Sequence, residues 1–112
     1  ITLQTVIDTL ELSVLTAPRD FEAGIPQGGY CSDLLSCVMA SAQHSNLWVT
    51  LQAHNNIIAV AALLELSAII ITEDAQPDPA TIAKANEEGI VLLSTPRFSY
   101  EVVGRLWEMG IR

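Results

Sequence analysis

The chain is 112 residues long, half of them apolar, and sets 13 Asp and Glu against 5 Lys and Arg for a formal net charge of −8. That length and apolar share support one hydrophobic core and exclude a disordered acidic tail. The five basic residues are scattered along the chain, so no cationic patch is offered to nucleic acid or to an anionic membrane.

Thr2 stands as an N-cap before Leu3, Val6, Ile7 and Leu10, whose spacing predicts a short amphipathic helix. Ser13 to Thr16 reads as a strand, and the stretch from Ala17 to Tyr30, broken by Pro18, Gly24, Pro26, Gly28 and Gly29, reads as a long loop carrying a minor strand. Ser32 as N-cap, Asp33 on the first turn and an apolar stripe of Leu34, Leu35, Val38, Met39 and Ala42 predict the next helix. After Asn46 turns the chain, Leu47 to Leu51 is a strand. Ile57 to Leu66 is apolar nearly all round, so this helix is expected to be covered on most sides, by the sheet and by a partner subunit.

Ala68 to Thr72 is a continuous apolar strand of the kind found in parallel sheets with both faces covered. Asp78 and Pro79 start a helix through Ala83 that Gly89 stops, and Ile90 to Leu93 is a strand. Thr95 and Pro96 repeat the cap-plus-proline start before Phe98, Val102, Val103, Leu106, Trp107 and Gly110 at helical spacing. Strand and helix thus alternate at least three times, which predicts one α/β domain with a mostly parallel sheet covered by helices. No internal repeat is evident.

Cys31 and Cys37 have neither metal-ligand nor CxxC spacing, which reads as a pair of reduced thiols in a cytoplasmic protein. The apolar stretch from Ile57 to Ile71 is interrupted by Glu65 and Ser67 and is shorter than the roughly 20 residues of a membrane span. The chain begins at Ile1 without Met, as a trimmed chain would, and no secretory signal is visible.

Ligands of open α/β sheets collect beyond the carboxyl ends of the strands. There the sequence places Gln52, His54, Asn55 and Asn56, then Thr72 with Glu73 and Asp74, then Ser94, Thr95 and Arg97. With Gly28 and Gly29, whose missing Cβ atoms allow close approach, these residues are the candidates for a crevice that takes a small anion or nucleotide-like ligand. A plainer reading weighs more: Thr95, Asn56 and Ser32 as caps, and the glycines as turns. His54 and His44 read as polar loop histidines, without the spacing of a metal site. Asp33 is accounted for by a helix dipole, and Glu73 and Asp74 by a solvated loop. GxxxxGK[ST], GxGxxG and GxSxG are all absent, so no cofactor, no metal and no catalytic residue is predicted.

The run Gly28-Gly29-Tyr30-Cys31-Ser32-Asp33-Leu34-Leu35-Ser36, followed by Leu47-Trp48-Val49-Thr50-Leu51-Gln52, resembles the DRTGG domain family. The likeness continues through Ala68 to Thr72, Ile82 to Leu93 and Thr95 onward, about the last three quarters of the chain. It implies a small α/β domain similar to the N-terminal domain of HPr serine kinase/phosphatase, found alone or joined to CBS, phosphotransacetylase or pyrophosphatase modules, with a regulatory or dimerising role. The loop that often carries an Asp-Arg pair in that family reads Gln52-Ala53-His54-Asn55-Asn56 here, losing a fixed positive charge. With no P-loop, kinase activity is not implied.

The expectation is therefore a non-catalytic, cytoplasmic regulatory domain that forms a homodimer through an apolar helix surface and senses a small ligand, with no nucleic-acid or membrane partner. Two rivals stand beside it. One is an enzyme or phosphate-ligand receptor using His54, Thr95 and Arg97; the other is an adaptor subunit docking on a larger enzyme.

Overall fold

Four residues in each of two neighbouring strands are buried on both faces, and the rest of the architecture follows from covering them. In the computed structural model, which describes residues 1–112, the elements are α1 (Leu3–Leu10), β1 (Ser13–Val14), β2 (Gly29–Cys31), α2 (Leu35–Ser41), β3 (Leu47–Thr50), α3 (Asn56–Leu64), β4 (Ala68–Ile71), α4 (Pro79–Glu88), β5 (Leu92–Ser94) and α5 (Ser99–Glu108). They form a five-stranded sheet in the order β1-β5-β4-β3-β2. β2 to β5 are parallel, and β1 pairs antiparallel with β5 through Ser13 and Ser94.

Alternate residues of β3, β4 and the β5 segment divide the core in two. Leu47, Val49, Ala68, Ile70, Val91 and Leu93 pack with Val6 and Leu10 of α1 and Val102 and Leu106 of α5. Trp48, Ile69, Ile71 and Leu92 pack on the other face with Val38 of α2, Ile57, Ile58 and Ala61 of α3, and Ala85 of α4. The strand order advances one step at a time from β2 to β5, and right-handed crossovers then put α2, α3 and α4 on the same face. The opposite face is left to the terminal helices α1 and α5.

Local chemistry fixes several ends as the sequence predicts. Thr2 Oγ1 accepts from Thr5 N at 3.2 Å, the Asp78 carboxylate accepts from Thr81 N at 2.9 Å with Pro79 opening α4, and Gly89 ends α4 at φ 72°. The long loop before β2 is anchored rather than loose. Its Gly24 and Phe21 carbonyls accept from Leu3 N and Gln4 N, the free donors of α1.

Three predicted caps turn out otherwise, the first being Asn56, which opens α3 behind Asn55 and does not cap it. α2 begins at Leu35, and Ser32 Oγ instead accepts from Leu34 N within the turn before it. Asp33 does not serve the helix dipole, because its Oδ1 accepts from Thr50 Oγ1 at 2.7 Å and from Leu51 N at 2.8 Å. α5 begins at Ser99, so Thr95 and Pro96 lie in the loop before it, where Thr95 Oγ1 accepts from Arg97 N. Of the stripe read for α2, Val38 and Ala42 are buried while Leu34 and Met39 are exposed, since a two-turn helix over the edge of the sheet has little to cover them.

The apolar α3 is also less enclosed than its composition suggests. It lies between α2 and α4, which cover its flanks, and its outermost residue Leu63 stays 66% exposed.

Both faces of the central strands contribute, so Ile69→Ala and Ile70→Ala, on opposite faces of β4, are each expected to lower unfolding free energy in urea by about 2–5 kcal/mol. A half-solvated strand would lose that amount at only one of the two positions. Asp33→Ala, which leaves the buried Thr50 hydroxyl without its acceptor, is expected to cost about 1–3 kcal/mol in the same assay. The backbone and side-chain hydrogen bonds from Thr81 hold the Asp78 carboxyl below its ordinary value of 3.8. Its contribution is therefore complete above that value and fades as pH falls below it. The thermal midpoint should drop over that acid range, and drop less in Asp78→Asn.

Candidate functional site

After β4 the chain crosses to α4 on one face of the sheet, and after β5 it crosses to α5 on the other. Adjacent parallel strands whose connections diverge in this way mark the topological switch point of an open α/β sheet, where ligands characteristically bind. Thr72, Ser94, Thr95 and Arg97 of the sequence-derived set all fall there.

The switch point is laced shut by its own loops. Glu73 and Asp74 both have φ 59°, and Ala75 N donates back to Thr72 O, as in a tight turn that glycine or asparagine usually supplies. Glu73 N donates to Arg97 O at 2.8 Å and Asp74 N to Thr95 O at 3.2 Å, so the β4–α4 turn is buttoned to the β5–α5 loop. The buried Thr72 Oγ1 shares a 2.6 Å hydrogen bond with Ser99 Oγ. Glu73 is therefore not simply solvated: its Oε2 accepts from Ser99 N at 3.4 Å, in the position that an anion takes at a helix N-terminus.

Arg97 donates to Glu11 at 2.9 Å and to Glu101 at 2.5 Å. Its charge is spent on carboxylates of its own chain. Thr95 is buried, and Ser94 closes β5 opposite Ile71 and Ser13.

Gln52, His54, Asn55 and Asn56 occupy the neighbouring β3–α3 loop, at the same end of the sheet. Gln52 Nε2 donates to Asp33 O, and His54 Nδ1 accepts from Asn56 N. Asn55 is the N-cap residue of α3, yet its side chain makes no cap bond. His54, Asn55 and Asn56 are exposed, and no carboxylate bonds to the His54 ring as a general base would require. No group of three or more His, Cys, Asp or Glu side chains converges as metal ligands do.

Gly28 and Gly29 are elsewhere. They open β2, at the amino-terminal end of the sheet, with Gly29 opposite Leu47. Gly28 has φ 74°, and a Cβ there would meet Arg112 O at 2.9 Å, so the residue serves close packing against the last residue of the chain.

A cavity that the sequence did not indicate lies between β2 and α5. It holds about 110 Å³ and is walled by Gly29, Cys31, Val103, Leu106, Trp107 and Arg112, among others. Partial desolvation in this wall, and then the nearby Asp33 carboxylate, push the Cys31 thiol above its ordinary value of 9.0. Arg112 sits 5.4 Å over the Trp107 ring. One signal was available in the sequence: Val102-Val103 and Leu106-Trp107 spread the apolar arc of α5 wider than one sheet face can bury, and only Val102 and Leu106 turn inward.

No family model matches the chain, and no curated protein matches its sequence. Among solved structures, the chain is similar to the crystal structure of the CBS and DRTGG domains of the regulatory region of Clostridium perfringens pyrophosphatase, complexed with its activator diadenosine tetraphosphate. The TM-score is 0.73 at 17% identity, over 92% of this chain and 44% of the other, so this chain spans less than half the length of that neighbour. The family resemblance read from Gly28 to Ser36 and the backbone architecture thus point the same way, and the α/β fold is shared with part of that solved structure.

Proposed function

We propose that the chain is a non-catalytic, cytoplasmic regulatory domain that senses a small anionic ligand, in the class of nucleotides, at the β4/β5 switch point and works as a homodimer. The observation that carries this reading is the fold likeness, across 92% of the chain, to a regulatory region whose structure holds a nucleotide activator. The inventory of the strand ends supports it. The threonine hydroxyls there are held by internal hydrogen bonds, the arginine is paired, and the histidine has no orienting carboxylate, so none of these groups is poised for bond breaking.

The Glu73 carboxylate at Ser99 N gives the binding event a structural consequence. A ligand phosphate competes with it for the first turn of α5. When Glu73 leaves, the turn that it and Asp74 hold at positive φ is free to relax, and the link between the β4–α4 and β5–α5 loops changes with it. Thr72, Ser94, Thr95 and Arg97 would line the site, and Gln52, His54, Asn55 and Asn56 would reach it from the adjoining loop.

Thermal melts with diadenosine tetraphosphate, ATP and inorganic phosphate test the reading. A bound ligand at 100 times its Kd adds about 2.7 kcal/mol to stability. Glu73→Gln, which removes the competing charge at the helix end, is expected to tighten binding about two- to fivefold, and Arg97→Ala to weaken it. A melting temperature unmoved by all three compounds, or an affinity indifferent to Glu73→Gln, contradicts the proposal.

A further inference from the structure

We infer that the outer side of α5 and the open edge of β2 form one continuous surface whose occupant is a second copy of this chain. This rests on the homodimer reading above and assigns its face, away from α3.

The first observation is an incomplete sheet. β2 pairs only with β3. Leu47 N donates to Gly28 O and Ser32 N donates to Val49 O, with Tyr30 opposite Trp48. Residues 28, 30 and 32 therefore turn their backbone groups inward, and Gly29 and Cys31 turn theirs outward, where no strand receives them. Both residues are exposed. An open edge of this kind is a template for another strand, and a two-fold axis would bring the same edge of a twin antiparallel to it.

The second observation is apolar area beside that edge. Tyr100, Val103 and Trp107 stand at i, i+3 and i+7 on the outward face of α5, with exposures of 93%, 36% and 58%. Gly104 lies between them, and a Cβ there would meet nothing within 4 Å, so the helix carries a dimple bounded by Tyr100, Val103, Trp107 and Glu108. The dimple is a shallow hollow of about 390 Å³ open to solvent, and the adjoining cavity holds about 110 Å³, below the roughly 300 Å³ at which ligand pockets begin. The cavity has the size of one inserted side chain.

Charge selects the occupant. α5, its flanks and the turn after β2 carry Arg97, Arg105 and Arg112 against Asp33, Glu101, Glu108 and the Glu11 that pairs with Arg97, so this region is within one charge of neutral and most of the net −8 lies on the remainder. Two strongly acidic copies repel least where they meet on this nearly neutral face. Glu108 and Arg112 make no ion pair within the chain. A two-fold axis sets Glu108 of one copy against Arg112 of the other.

Sedimentation velocity on the full chain at low micromolar concentration, with variants, decides the matter. Wild type and the α3 control Leu63→Asp should sediment as dimers. Val103→Asp and Gly104→Arg should raise the dimer dissociation constant at least tenfold. Gly104→Arg fills open space on a helix and improves helix propensity, so circular dichroism should show it folded, and loss of the dimer then reports the surface alone. A wild-type monomer, a dimer indifferent to both α5 variants, or a dimer broken by Leu63→Asp overturns the inference. The ligand reading is scored separately, because Gly104→Arg lies away from the switch point and should keep its melting-temperature response to nucleotide.

Discussion

Burial of β3 and β4 on both faces is the constraint from which the rest of this structure follows. A strand that shows Leu47, Val49, Ala68 and Ile70 to one side and Trp48, Ile69 and Ile71 to the other exposes no polar face to water, so helices must cover both sides. Three crossover helices of one hand, linking strands that advance in a single direction, cover one side only. The other side falls to α1 and α5, the elements before and after the parallel run. Because α5 must pass from β5 to the face opposite α4, the connections of β4 and β5 diverge. The same requirement that closes the core therefore creates the switch point.

What occupies that divergence is the chain itself. The Glu73-Asp74 turn bonds to Thr95 and Arg97, and the Glu73 carboxylate takes the anion position at Ser99 N. Two consecutive non-glycine residues at φ 59° store strain in the turn. Under the regulatory proposal, this internal carboxylate at a helix N-terminus, held by a strained turn, is what an external anion would displace, and no bond-making group is invoked. Asp33 does a comparable structural job one strand over, tying the end of β2 to the end of β3 through Thr50 and Leu51.

The acidic surface is unevenly spread, and that unevenness carries information that the net charge hides. Three of the five cations lie on or beside α5 and offset the carboxylates near them. The region of least net charge is also the one with exposed Tyr100, Val103 and Trp107 and with the unpaired strand edge. Apolar area, open backbone valences and relief from like charge coincide there.

Period and punctuation in the sequence were enough to determine the α/β class, the order of the elements, the caps at Thr2 and Asp78 and the stop at Gly89, because each rests on contacts within a few residues. The candidates Thr72, Ser94, Thr95 and Arg97 were legible for a similar reason: they directly follow recognisable strands. Only the tertiary structure decided that Gly28 and Gly29 sit at the opposite end of the sheet, that Asp33 bonds across to Thr50, and that α3 is flanked by α2 and α4 while α5 is left bare. Those outcomes depend on strand order and on which face each crossover takes, and neither is encoded in the local spacing of apolar residues.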